Sequence, residues 1–85
     1  MEKVPRERYP VVFSTTIEGE LLFAAEKHEH GRRAWLWTFD IMQAAVFDIM
    51  RDLDAIEASI ASEAEPRAIT RHPVSCGRYE RTLLP

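Results

Sequence analysis

One cysteine, Cys76, occurs in 85 residues, so no disulfide can form within the chain. A lone thiol fits a reducing compartment, and a cytoplasmic location is expected. Glycine is scarce: three residues, scattered, with no glycine-rich loop of the kind that cradles phosphate. No apolar run approaches the length needed to cross a bilayer, so no membrane association is expected. The opening, Met1-Glu2-Lys3-Val4-Pro5-Arg6-Glu7-Arg8, is of mixed charge and lacks the apolar centre of an export signal. Repeats and low-complexity tracts are absent as well. The length allows one domain, close to the lower limit of independent stability.

Charge of one sign is missing from the chain as a whole but not from its parts. The net charge is −3. Residues 1–38 are neutral. Residues 39–65 carry seven acids against Arg51 alone, whereas residues 66–85 carry Arg67, Arg71, Arg78 and Arg81 against Glu80. Two such segments either neutralise each other in the fold or present separate fields to partners.

Residues 1–10, with two prolines and alternating charges, read as a flexible arm, and residues 11–85 as a single α+β domain. Val11-Val12-Phe13-Ser14-Thr15-Thr16-Ile17 is β-branched and extended in type. Glu18-Gly19 and His30-Gly31 are two-residue turns, with glycine supplying a positive φ. They predict a three-stranded antiparallel meander pairing Ile17 with Glu20, Thr15 with Leu22, Phe13 with Ala24, Ala24 with Trp37 and Glu26 with Trp35. One face then gathers Val11, Phe13, Thr15, Ile17, Leu22, Ala24, Trp35 and Trp37, and is assigned to the core. The other holds Val12, Ser14, Thr16, Leu21, Phe23, Ala25 and Leu36.

Over residues 39–64, Phe39, Met42, Val46, Ile49, Leu53, Ile56 and Ile60 recur at steps of three and four, which predicts one long helix. Thr38 or Asp40 caps its start, and Pro66 ends it. In the tail, residues 68–71 and 78–84 are short strand candidates separated by a loop over residues 72–77. The expected order is β-β-β-α-β, an antiparallel meander of three to four strands packed on one helix, with the tail paired to a sheet edge. One helix covers only one face. The second, with Leu21, Phe23 and Leu36, then needs either the tail or a second copy of the chain, and a homodimer through those three residues is expected.

Chemistry finds little footing. Cys76 and His72 lie four apart without a cysteine-enzyme signature, and no convergent polar site is legible, so no enzyme activity and no cofactor are expected. His28, His30, His72 and Cys76 are the candidate metal ligands, should the tail fold back on the second turn; without that meeting they are surface histidines and an unrelated thiol. The tail arginines with Tyr79 are too thin a basic stripe, beside too acidic a neighbour, for direct nucleic-acid binding to be expected.

The remaining feature is the acidic face Asp48, Asp52, Asp54 and Glu57, with Glu63 and Glu65 as its candidate extension. Read simply, it is a solvated helix face. Read functionally, it docks on a basic protein surface, including one that normally holds nucleic-acid phosphates. The functional expectation is a non-enzymatic inhibitor or antidote that blocks a larger assembly. In size, charge and lack of chemistry it has the profile of anti-CRISPR, immunity and antitoxin proteins, accessory proteins of phage and bacteria. The alternatives are an adaptor subunit assembling through the apolar sheet face, and a small metal-binding domain.

Overall fold

The computed structural model describes residues 8–63 and 68–85. The elements are β1 (Val11–Ile17), β2 (Glu20–Glu29), β3 (Arg32–Thr38), a 3-10 turn at Ile41–Gln43, α1 (Leu53–Glu63), β4 (Thr70–Cys76) and β5 (Arg81–Leu83). The strands form one antiparallel sheet in the order β3-β2-β1-β4-β5, an α+β fold with the tail on the β1 edge of the meander.

Both hairpin turns form as the dipeptides dictate. Glu18 and Gly19, and His30 and Gly31, all have positive φ, the geometry of a two-residue turn whose twist matches its strands. Ile17–Glu20, Thr15–Leu22, Ala24–Trp37 and Glu26–Trp35 are paired. The β1–β2 ladder ends at Ser14–Phe23, one pair short of the expected Phe13–Ala24. There the Ala24 carbonyl turns instead to the Ala45 N–H at 2.9 Å.

That departure accounts for the main correction. The expected helix over residues 39–64 exists only as α1, and residues 39–52 take another form. Past Phe23 the long strand β2 runs on into an arm with β3, leaving backbone groups of β1 and β2 in need of partners. Buried N–H and C=O groups must be bonded, and an extended run of residues 44–47 bonds them. Ala45 reaches Ala24, and Val11 and Phe47 exchange two bonds of 2.9 Å. The run alternates as a strand does: Ala44 and Val46 join one apolar cluster, Ala45 and Phe47 the other. Aspartates reinforce the break, because a short carboxylate that bonds nearby N–H groups competes with helix. Asp40 caps the 3-10 turn through Met42 N–H at 2.9 Å. Asp48 accepts Met50 N–H at 2.8 Å, and Asp52 caps α1 through Ala55 N–H at 3.1 Å. Residues Phe39 and Met42 of the expected stripe are consequently exposed. The proposed stop at Glu65-Pro66 lies outside the described residues.

The assigned core face holds. Val11, Phe13, Ala24 and Trp35 pack with Phe47, Ile56 and Ile60 beneath α1. Phe13 and Phe47 meet edge to face at 5.6 Å, a favourable aromatic geometry. Trp35 Nε1 donates to Ser59 Oγ at 3.1 Å, so the indole is satisfied on the helix. The second face is covered too: Val12, Phe23, Ala44 and Val74 form a cluster closed by Ile41, Val46 and Leu83. Its lid is the segment 41–46 and the tail.

The tail also corrects the expected loop at residues 72–77, since β4 continues through Pro73 to Cys76. Proline is tolerated because Val11, its partner, spends both backbone groups on Phe47. The Val11–Pro73 pair therefore asks for no N–H from residue 73. On its other side the Pro73 carbonyl accepts Leu84 N–H at 3.0 Å. Of the expected N-terminal arm, residues 1–7 lie outside the described residues, while Pro10 is already engaged, accepting Val74 N–H at 2.9 Å.

Candidate protein-binding surface

The four acids named from the sequence fall in the turn at residues 48–52 and the first half of α1 rather than along one helix face. Asp48 and Asp52 are exposed, and each carboxylate is fixed by the backbone bonds given above. The turn is closed by Arg51 N–H donating to the Asp48 carbonyl at 3.0 Å. Met50 lies between these two aspartates and is 88% exposed. A helix over residues 39–64 would place it beside the apolar stripe. The Asp48 turn lifts it out instead, and an aspartate two residues before an apolar residue was the available sign of that.

Asp54 and Glu57 have a different situation. Arg71 of β4 pairs with Asp54 and donates from Nε to Glu57 at 3.1 Å. The hydrogen bond to Asp54 chiefly raises the guanidinium pKa above its ordinary value; partial desolvation opposes it, and Glu57 adds to the rise. The guanidinium carbon also lies 5.8 Å from the centre of the Phe13 ring. The acidic and basic segments thus meet at this point. Asp54 remains 91% exposed at its side chain despite the pair, so it still faces solvent. Glu63 is exposed at the end of α1, and Glu65 lies outside the described residues.

Among the three residues named for self-association, Leu21 and Leu36 are 40% and 38% exposed. Phe23, in contrast, is buried in the second cluster beneath the 41–46 segment. It was expected at the surface because that segment was read as helix on the other face.

The candidate metal ligands are separated. His28 and His30 belong to the β2–β3 arm, where the His28 ring lies 3.4 Å from a Glu26 carboxylate oxygen. His72 and Cys76 lie on β4, which pairs with β1 on the side away from β2. Among the described residues no three His, Cys, Asp or Glu side chains gather as a metal ion would require. No helix of the described residues is long and apolar enough to cross a membrane.

The fold and surface define a small antiparallel α+β domain. Comparison with protein-family models, with curated proteins and with solved structures finds no match.

Proposed function

We propose that this chain is a small, non-enzymatic protein-binding protein that blocks a basic surface of a larger partner. The contact is the turn at residues 48–52 with the start of α1. Asp48, Asp52 and Asp54 form its acidic rim, Met50 its apolar anchor, and Glu57 its margin. The observation that carries this reading is an almost fully exposed Met50 held between two carboxylates that the backbone has already fixed. An exposed apolar side chain ringed by polar groups is the usual anatomy of a contact site. Groups fixed beforehand lose little entropy on binding, and acid clustered at one place steers a basic partner. Methionine adapts to irregular apolar pockets. A basic surface that normally holds nucleic-acid phosphates fits this charge, which is the inhibitor or antidote reading, of the anti-CRISPR, immunity or antitoxin type.

The test uses variants that remove charge but keep shape. In Asp48→Asn/Asp52→Asn the amide oxygens still accept the same backbone N–H bonds, since Asn turns and caps as well as Asp. The expected result is a partner retained from host lysate by the parent chain at low salt, lost at high salt, and lost from the Asn variant and from Met50→Ala. Retention by both variants equal to that of the parent would refute the reading.

A further inference from the structure

β3 is the outer strand of the sheet, whose order is β3-β2-β1-β4-β5, and no strand of the described residues lies on its far side. Which backbone groups face that side follows from the turn. Glu29 and Arg32 flank the two-residue turn at His30-Gly31, both of positive φ. Residues flanking such a turn exchange both of their hydrogen bonds, and bonded pairs then alternate along the ladder. Arg32, Ala34 and Leu36 therefore bond to β2, while Arg33 and Trp35 turn their N–H and C=O groups outward. Native sheet edges are commonly blunted by proline, a bulge or charge. β3 carries charge at one end only, at Arg32 and Arg33. Ala34-Trp35-Leu36-Trp37-Thr38 has neither charge nor proline, and its register with β2 is unbroken from Arg32 to Thr38. At the opposite edge of the sheet β5 spans only Arg81–Leu83, so β3 is the long edge.

We propose that the outer edge of β3 pairs antiparallel with β3 of a second copy, making one continuous sheet across a dimer. An open edge is completed by another extended strand. A second copy brings a strand that β2 already holds extended, so little is lost to ordering. A two-fold axis fixes the register, and with Arg33 and Trp35 as the outward residues it falls at Arg33, Ala34 or Trp35. At Arg33 it would set two guanidinium groups opposite each other, which like charge opposes. At Trp35 it would oppose two indoles, each already donating to Ser59 of its own α1 at 3.1 Å. At Ala34 neither objection arises. Arg33 of each copy then lies opposite Trp35 of the other, and the two exchange both hydrogen bonds. A guanidinium beside this indole is a contact the chain already makes with itself, Arg33 lying 5.0 Å from the centre of its own Trp35 ring. Arg32 falls opposite Leu36, which is 38% exposed, and its apolar stem can cover it. Ala34 sits on the axis as a non-hydrogen-bonded pair, where strands approach most closely and a small side chain fits against itself. This edge differs from the apolar sheet face expected from the sequence, whose Phe23 is covered within one chain. It also goes beyond the proposed function and leaves the 48–52 turn open to a partner.

The experiment is sedimentation equilibrium of the whole chain over a concentration series, joined to a cysteine crosslinking pair. The parent is expected to reach dimer mass. Arg33→Pro removes an outward N–H and none that β2 uses. It is expected to weaken the dimer at least about tenfold, with circular dichroism checking that it folds. Cysteines read the register, in a chain whose exposed native thiol is removed by Cys76→Ser. Ala34→Cys sets two thiols across the axis, within the Cα separation of about 4.4–6.8 Å that a disulfide bridges. Mild oxidation is expected to convert it to a covalent dimer. Leu36→Cys lies on the same face of β3, but its two copies stand roughly 13 Å apart along the strands, and it is expected to stay uncrosslinked. The cysteine pair decides even where Arg33→Pro fails to fold. A parent that stays monomeric, a folded Arg33→Pro that associates like the parent, or crosslinking at residue 36 equal to that at residue 34 would overturn the proposal. None of these readings depends on the captured partner, so failure here leaves the proposed function standing and the converse also holds.

Discussion

The two faces of the sheet are closed by different means, and an arginine fastens each closure differently. On the first face α1 is the cover, with Ile56 and Ile60 pressed on Phe13 and Trp35. Arg71 ties that helix to β4 through carboxylates at the surface. On the second face the cover is the 41–46 segment, with Ile41, Ala44 and Val46 over Val12 and Phe23. Arg81 of β5 reaches the backbone of that segment, donating from Nη1 to the Ile41 carbonyl at 3.1 Å and the Ala44 carbonyl at 2.5 Å. A helix bonds its own backbone and needs only packing. A segment that is neither helix nor full strand leaves carbonyls over, and a buried-side donor must answer them. The surface tie is therefore dispensable and the backbone tie is not.

Substitutions rank the two closures. The largest effect is expected from Ile60→Ala, which empties a fully buried position under the helix and should lower unfolding free energy by about 2–5 kcal/mol in urea titration. Next is Arg81→Met, which keeps the stem and removes the donors. Leaving partly buried carbonyls without a partner should cost about 1–3 kcal/mol, and amide exchange should speed up at Ala44 and Ala45 before it does in α1. The smallest is Arg71→Met, worth under about 1 kcal/mol because its pairs are exposed and screened by salt. If Arg71→Met proved as costly as Arg81→Met, the distinction between the two ties would fail.

Legibility in the sequence followed the same division. The meander was readable because its signals are local: Glu18-Gly19 and His30-Gly31 set the turns, and alternation then fixed Thr15 opposite Leu22 and Ala24 opposite Trp37. The second half of the helix was readable for the same reason, since Ile56 and Ile60 lie one turn apart. Residues 39–52 were not. Their apolar spacing suits a helix, but their conformation answers a long-range demand, the free backbone of Val11 and Ala24 where β1 and β2 part. No periodicity records such a demand. The local clues that did exist were the aspartates at 40, 48 and 52, each of which turns its carboxylate onto a backbone N–H. Pro73 misled in a similar way: it reads as a strand breaker, and only the pairing of Val11 with Phe47 makes it harmless. Of the candidate site, the acidic residues were legible as charge. That Asp54 and Glu57 are shared with Arg71 depends on β4 lying beside α1, and Met50 emerged only once the helix gave way to a turn.

The central claim is that the 48–52 turn, with Met50 at its tip, is where a partner binds. The most direct measurement is hydrogen exchange of the whole chain with and without the partner captured from host lysate. Slowed exchange at residues 49–55, with the arm around Leu36 unchanged, is the result this account predicts. Protection confined to the arm or to the exposed sheet positions around Leu21, with Met50 and Arg51 exchanging as in the free chain, would contradict it.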